Sequence, residues 1–281
     1  MSARLSIVAA AIALAGCTTL EAQLAPAAEP LRRWERHDPA SKQTVDHRAW
    51  GTFLTRYRAV GADGVARIRY AVVAAADRDA LRQYVARLAA VDVDALARPE
   101  QFAYWVNLYN AATLRLVLER YPVKSIRDIS VSGGLFEVGP WGAKLITVKG
   151  ERLSLDDIEH RILRPIWRDP RIHYVVNCAS VGCPDVPPAP LTGANLETML
   201  DAAARGYVNH PRGAAVRDGR LAVSSLYRWY REDFGGSEAG VLAHLRRYAA
   251  PPLAAQLAGV SVVDRYQYDW ALNDAGPAPA R

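Results

Sequence analysis

The sequence contains little cysteine, little lysine and no long apolar run beyond its N-terminus. Three cysteines in 281 residues exclude a disulfide-dense scaffold. Only four of the 35 basic residues are lysine, and the arginines form no run or stripe, so the formal net charge of +6 carries no nucleic-acid-binding footprint. We therefore expect no nucleic-acid partner. A hydrophobic fraction of 51% with 23% charged residues excludes a disordered chain and leaves ample material for a core.

The first residues have the pattern of an export signal. Arg4 precedes an apolar run at residues 5–15, which is well short of the about 20 residues that a spanning helix needs. Leu14, Ala15 and Gly16 then lead into Cys17. This arrangement resembles the signals of bacterial lipoproteins, which implies cleavage of residues 1–16 as a signal peptide and lipidation of Cys17. The alternative is an ordinary secretory signal followed by a chance cysteine.

The same resemblance implies a location and a partner. Several acyl chains on Cys17 would anchor the chain firmly to a membrane, whereas one chain alone gives marginal binding. Residue 18 is threonine, so the aspartate that signals inner-membrane retention is absent. In a Gram-negative bacterium we expect a lipid-anchored protein of the cell envelope, at the outer membrane and facing the periplasm.

Composition divides the remaining chain into three parts. Residues 17–46 begin with Cys17, whose lipidation the lipoprotein resemblance implies, and they are rich in alanine, proline and glutamate, which predicts a flexible tether. Residues 47–270 are predicted to form the globular domain, and residues 271–281 a disordered tail. The fold class is predicted to be α+β, a helix-majority single domain around a small, mostly antiparallel sheet.

Apolar periodicity, caps and turns place the elements of this domain. Helices are predicted at residues 50–57, 78–88, 99–120, 155–167, 194–207 and 238–248, with a short helix after Ser224. Strands are predicted at residues 65–70, 145–148, 152–153, 171–177, 214–216, 220–223 and 260–263.

Four segments rich in polar and aromatic residues stand out, and they follow one another along the chain. They are residues 102–110, 155–164, 169–173 and 177–184. Together with Tyr121-Pro122 and residues 229–234, they resemble the domain-of-unknown-function 547 (DUF547) family over roughly residues 50–234. The resemblance implies no settled activity. It does imply that Cys178 and His160 are the best candidates, since the family's eukaryotic members keep both but often have serine in place of Cys183 and lack His173.

The residues themselves favour the same pair. On a strand over residues 171–177, side chains alternate between faces, so His173 would point away from Cys178. Cys178 lies where that strand would enter a loop of small residues. His160 lies on a helix that is apolar on two sides, which places it between packed layers. A satisfied core histidine is the alternative interpretation of His160.

Two asparagines on the predicted helix 99–120 complete the candidate site. Asn107 and Asn110 are three residues apart on one face, and buried amides need hydrogen-bond partners. Either one could orient an imidazole, as in Cys-His-Asn sites, or both could bond neighbouring backbone. We predict a Cys178 nucleophile activated by His160, with Asn110 or Asn107 as orienter and the backbone amides of residues 179–182 as an oxyanion hole.

Three alternatives to this cysteine-dependent hydrolase or acyltransferase stay open. One is a Cys178–Cys183 disulfide, which an oxidising periplasm permits. Another is a metal site of His173, Cys178 and Cys183, whose spacing is unusual. The third is a non-catalytic module that binds an unknown envelope ligand or protein. The sequence predicts no cofactor and no metal, and it identifies no substrate.

Overall fold

The computed structural model describes residues 27–131 and 139–276. The predicted signal peptide and Cys17 lie outside the described residues, as do residues 277–281 of the predicted tail. Within the described ranges, no helix has the length and apolar character to cross a membrane. The chain divides into two compact units. The large unit is Ala28–Ala203 with the residues from Asp269 on, and the small unit is Ala204–Tyr268. The predicted boundaries of a single domain stay a prediction.

The large unit holds most of the helices and two β-hairpins. Its helices are α1 (Arg48–Tyr57), α2 (Ala75–Ala89), α3 (Arg98–Arg120) and a π-helix (Asp157–Leu163) that continues as α4 (Arg164–Trp167). Its strands are β1 (Arg58–Val60), β2 (Ala66–Ile68), β3 (Ile146–Val148) and β4 (Glu151–Leu153). Short 3-10 helices lie at Arg32–Glu35, Tyr70–Val72, Val93–Ala95, Ile126–Asp128 and Pro170–Tyr174. Helix α5 (Leu196–Val208) contains the division between the units.

Helix α3 forms the centre of the large unit's core. Its residues are buried almost continuously from Glu100 to Leu118, as expected of a helix that is apolar nearly all round. Pro99 fits its first turn, where a missing N–H costs no intrahelical bond. The helix ends at Arg120 because Pro122 forces Tyr121 into an extended conformation.

Both hairpins of the large unit are antiparallel, and in the second a tight turn fixes the register. In the second hairpin Ile146 pairs with Leu153, and the turn places Lys149 and Gly150 at positive φ. Two consecutive residues at positive φ are typical of the type I′ turn, which matches the twist of the flanking strands.

The small unit contains α6 (Leu226–Trp229), α7 (Glu238–Tyr248) and α8 (Pro251–Leu257), and a 3-10 helix at Arg231–Phe234. Its strands β5 (Ala214–Arg217), β6 (Arg220–Ser224) and β7 (Arg265–Gln267) form one sheet, in which β7 is parallel to β6. The last strand is therefore later than the predicted 260–263, and α8 was not predicted.

With 49% helix and 11% strand, the helix-majority α+β fold class is confirmed. The strands of the described ranges form three separate small sheets, whereas one small sheet was predicted. The runs between strands are long and helical, so each hairpin packs on helices instead of pairing with the next hairpin.

Parts of the predicted tether and tail belong to the large unit. Trp34 is 1% exposed and packs edge-on against Trp105, with ring centroids 5.0 Å apart. The backbone N–H of Leu31 donates to the carbonyl of Arg161. At the other end, Leu272 and Asn273 are both buried. The packed region thus begins before residue 47 and continues beyond residue 270.

Candidate functional site

The two asparagines of α3 bind backbone, each in a different loop. The Asn107 amide donates to the carbonyl of Leu191 at 2.8 Å and accepts from its N–H at 3.1 Å. The Asn110 amide donates to the carbonyl of Val175 at 2.7 Å and accepts from the N–H of Asn177 at 2.8 Å. Both side chains are buried. The structure therefore has the alternative of backbone bonding, and the predicted role of either amide as imidazole orienter stays a prediction.

The segment that Asn110 holds is not the predicted strand. Pro170–Tyr174 is a 3-10 helix, and Asp169 caps it by accepting from the N–H of Arg171. A strand needs a neighbouring strand for its N–H and C=O groups, and here local bonds and the Asn110 amide supply the partners instead. Strand alternation therefore gives no information about where His173 points, and that part of the sequence argument is wrong.

Cys178 lies on a loop, residues 177–184, which we call the Cys178 loop. Its N–H donates to the Cys183 sulfur at 3.0 Å, and its own sulfur lies 3.2 Å from the Ser180 hydroxyl. Cys178 is half-buried and Cys183 is buried, and neither is in a disulfide. The structure therefore does not contain the alternative Cys178–Cys183 disulfide.

The Asn177 side chain closes this loop. Its carbonyl oxygen accepts from the N–H of Ala179 at 2.8 Å, and its amide donates to the carbonyl of Pro184 at 2.6 Å. Ala179 has φ +60°, a left-handed conformation that residues other than glycine seldom adopt. The residue next to the Cys178 thiol is thus held in an unusual backbone conformation by a buried amide.

Three backbone amides of the predicted oxyanion hole are already engaged. The N–H of Ala179 is bound to Asn177, that of Val181 donates to the carbonyl of Ala271, and that of Gly182 donates to the carbonyl of Asp269. An oxyanion hole needs donors aimed at the reacting oxygen. These three amides are therefore not available as such donors in the structure, and the predicted oxyanion hole of residues 179–182 stays a prediction.

His160 lies in a helix that begins with a capping box. The Ser154 hydroxyl accepts from the N–H of Asp157, and the Asp157 carboxylate accepts from the N–H of Ser154. The helix widens to π geometry at Asp157–Leu163, a form common at functional sites. His160 is buried there, as the two-sided apolar pattern predicted.

Charged side chains surround the His160 ring. Its Nδ1 accepts from the Arg164 guanidinium at 3.2 Å and lies 4.0 Å from the Glu159 carboxylate, and its Nε2 lies 3.7 Å from the Asp156 carboxylate. Asp156 is the residue that the sequence placed one turn before His160. The histidine is thus part of a charge cluster on its own helix and not isolated among apolar layers.

Glu159 is the functional candidate that sequence reasoning missed. It is buried, and its carboxylate lies 3.5 Å from Nδ1 of His173. Burial alone would raise the pKa of Glu159, but His160, His173 and Arg164 lower that pKa to about 2. The ionised, buried Glu159 carboxylate therefore interacts electrostatically with both His160 and His173. The available signal was an acidic residue between Ile158 and Ile162 on a helix that was predicted to be buried.

Asp156 has the opposite shift. Burial, with added repulsion from Glu159 and Asp157, raises its pKa to about 7. Its side chain nevertheless stays 35% exposed. Two carboxyl groups three residues apart on one helix therefore titrate in different pH ranges.

Among the described residues, no group of three or more histidine, cysteine, aspartate or glutamate side chains is arranged to hold a metal ion. The alternative metal site of His173, Cys178 and Cys183 therefore gains no support.

Comparison with known proteins identifies one domain. Residues 93–208 match the family "Protein of unknown function, DUF547". The chain thus contains a DUF547 domain, and the predicted resemblance to that family is confirmed over these residues. The match includes α3, the π-helix and the Cys178 loop. No curated protein and no solved structure matches the chain. The approach of Cys178 to His160 stays a prediction.

Proposed function

We propose that this protein is a lipid-anchored, periplasm-facing envelope protein whose DUF547 domain is a cysteine-dependent hydrolase or acyltransferase. Cys178 is the nucleophile and His160 is its base. The observation that carries the proposal is the placement of Cys178, a half-buried thiol outside any disulfide, on a loop whose backbone is hydrogen-bonded on several sides. A fixed nucleophile avoids ordering costs during the reaction.

The reaction follows from the chemistry of a thiol and an imidazole. The Arg164 N–H first moves away from Nδ1 of His160, which frees the lone pair of that nitrogen. Nδ1 then takes the proton of the Cys178 thiol, and the thiolate attacks an acyl carbonyl carbon. The tetrahedral intermediate expels an alcohol or amine, which takes the proton back from His160, and a thioester remains on Cys178. Water then releases the acid in a hydrolase, or a second alcohol or amine accepts the acyl group in a transferase.

The electrostatics of the π-helix support His160 as the base. The Glu159 carboxylate, ionised at neutral pH, lies 4.0 Å from Nδ1 of His160. Its negative charge favours the imidazolium form of His160 and offsets the Arg164 guanidinium, which opposes that form from 3.2 Å. An imidazolium stabilises a thiolate beside it. In this proposal Glu159 takes the place that the sequence argument gave to Asn107 and Asn110.

The pH profile of Cys178 alkylation tests the pair. The full-length chain with Cys17→Ser and Cys183→Ser leaves Cys178 as its sole thiol. We expect its reaction with iodoacetamide to have a midpoint well below the usual thiol pKa of about 8.5. His160→Ala should raise that midpoint, whereas His37→Ala, which removes an exposed histidine, should not. A midpoint near 8.5 that His160→Ala leaves unchanged would overturn the pair.

A non-catalytic binding module is the second candidate, and one observation favours it. The amides of Ala179, Val181 and Gly182 are engaged, so the loop offers none of them to an oxyanion. An activated ester such as p-nitrophenyl acetate separates the two functions. An acyl-enzyme gives a burst of nitrophenol that Cys178→Ala and His160→Ala both abolish. The absence of a burst in the wild-type protein would favour the binding module.

The anchor needs its own test, because it depends on residues outside the described ranges. In a bacterial host, the full-length chain and its Cys183→Ser variant should both fractionate with membranes. Cys17→Ser should accumulate as an unprocessed precursor or leave the membrane fraction, since the lipid attachment point is gone. Normal processing and membrane fractionation of Cys17→Ser would show that the lipoprotein interpretation is wrong.

A further inference from the structure

The end of the described chain runs beside the Cys178 loop. We call residues 269–275 the C-terminal segment. The loop's Val181 and Gly182 N–H groups donate to the carbonyls of Ala271 and Asp269, both at 2.8 Å. In return, the N–H of Asn273 donates to the carbonyl of Ala179 at 3.0 Å. This segment lies outside the residues 93–208 that match the DUF547 family.

The Asn273 side chain extends these contacts into the interior. It is 1% exposed, and its amide donates to the Asn177 carbonyl oxygen at 3.2 Å. That same oxygen accepts from the N–H of Ala179. Asn273 therefore reaches Ala179 twice, directly through its own N–H and indirectly through Asn177.

Tyr70 sets the orientation of the Asn273 amide. The buried phenol donates to the Asn273 carbonyl oxygen at 2.8 Å, so the amide nitrogen faces Asn177. Burial raises the pKa of Tyr70 well above its ordinary value, and the charges of Asp274 and Cys178 add to that rise. The phenol therefore stays protonated and remains a donor.

The main chain of Asn273 is tied to strand β2. Its carbonyl accepts from the N–H of Ile68 at 2.9 Å, and the N–H of Ala275 donates to the carbonyl of Ile68 at 2.9 Å. The C-terminal segment is thus held on one side by β2 and holds the Cys178 loop on the other.

We infer that Asn273 is a positioning residue for the Cys178 thiol. Ala179 directly follows Cys178 and has a left-handed conformation that alanine disfavours. Its N–H donates to the Asn177 side chain, and its carbonyl accepts from the main-chain N–H of Asn273. The Asn273 side chain acts on this conformation through Asn177, because its amide holds the Asn177 oxygen that accepts from the Ala179 N–H. Without the Asn273 amide the Asn177 side chain is free to turn, Ala179 returns towards ordinary φ values, and the peptide that carries Cys178 turns with it, although the main-chain bond from Asn273 to Ala179 remains. The inference rests on the proposed function in that it treats this thiol as the nucleophile.

The test uses the full-length chain with Cys178 as sole thiol and measures two quantities. The first is the alkylation midpoint, which reports the thiolate's electrostatic surroundings. The second is the rate constant on the high-pH plateau, which reports access to the thiolate. We expect Asn273→Ala to raise the alkylation midpoint by about one pH unit, because the Cys178 sulfur moves away from the His160 imidazolium of the proposed pair. We expect the plateau rate to rise about tenfold, as the loop opens locally.

Milder and matched variants separate positioning from stability. Tyr70→Phe removes only the bond that orients the Asn273 amide, so both quantities should change in the same direction but less. Tyr104→Phe removes another buried phenol bond, to the carbonyl of Leu88 at 2.9 Å, and Asn195→Ala removes amide bonds at a different loop. Both controls should leave the midpoint and the plateau rate at their starting values, whatever they do to the melting temperature.

The outcomes distinguish this inference from the proposed function. If His160→Ala leaves the midpoint unchanged while Asn273→Ala raises the plateau rate, the catalytic pair is wrong and Asn273 still positions the thiol. If His160→Ala raises the midpoint while Asn273→Ala and Tyr70→Phe change neither quantity, the pair stands and the inference about Asn273 is overturned. Equal effects from Asn273→Ala and the two controls overturn it as well.

Discussion

The Cys178 loop and the π-helix of His160 are both buried and polar, but they satisfy their polar groups differently. The loop uses neutral amides, from Asn110, Asn177 and Asn273, which bond to backbone and to one another. The π-helix uses charges, with Glu159 among His160, His173 and Arg164. Neutral amides hold a backbone path in the same way at every pH. A buried charge cluster depends on protonation, so only the π-helix should respond to acid.

Removing the Glu159 charge from the π-helix should have the largest effect on the free energy of unfolding. Glu159→Gln leaves two histidines and an arginine without their carboxylate, and breaking a buried ion pair costs about 3–5 kcal/mol. We expect the free energy of unfolding in urea at pH 7 to fall by that amount. The control is Glu197→Gln, an exposed partner of Arg171, which should change it by less than about 0.5 kcal/mol.

The pH dependence of this variant sharpens the comparison. The pKa of Glu159 is lowered from 4.5 to about 2, so the folded protein binds fewer protons than the unfolded chain between those values. The stability that Glu159 contributes is therefore present above pH 4.5 and is lost as the pH falls towards 2. Wild type should lose stability over this range, and Glu159→Gln should lose less. Parallel curves for the two proteins would show that the cluster is not charged as described.

Removing the Asn110 amide, which holds the backbone next to the Cys178 loop, should have an intermediate effect on the free energy of unfolding. Asn110→Leu leaves the carbonyl of Val175 and the N–H of Asn177 buried without that partner, which costs about 1–3 kcal/mol. The loss should be the same at pH 5 and pH 8, in contrast to Glu159→Gln. Urea unfolding at both pH values measures it, with Asn195→Leu in the half-buried 192–195 turn as the control. A loss that depends on pH would remove the distinction between the two regions.

The smallest effect is expected at the edge of the π-helix. The pKa of Asp156 is raised from 3.8 to about 7, so the folded protein binds more protons between these values and stability falls as the pH rises. Asp156→Asn removes that fall. The variant should match wild type at pH 4 and melt at a higher temperature at pH 8, with exposed Asp218→Asn unchanged at both. The gain is small because a third of the Asp156 side chain is exposed to solvent.

Much of the fold could be predicted because its signals are local. The apolar surface of residues 99–120 predicts a buried helix, and Pro122 predicts its end. The Ser154–Asp157 capping box and the Lys149-Gly150 turn need only residues within a few positions of each other. The contacts that form the candidate site join residues far apart in the sequence, so fewer local signals predict them. Burial of His160 followed from its helix, but the charge cluster around it did not, because nothing in the sequence shows that His173 lies beside Glu159.

The sequence by itself determined most of the helices, the hairpin turns and the DUF547 motifs, since local propensity and periodicity act over a few residues. Tertiary structure alone decided the path of residues 171–177, which alternate like a strand but pair with no strand of the described residues. It also decided that Asn110 bonds to that path and that Asn273, in a predicted tail, closes the Cys178 loop. The physical reason is that a buried N–H or C=O must find a partner, and that partner can come from any part of the chain.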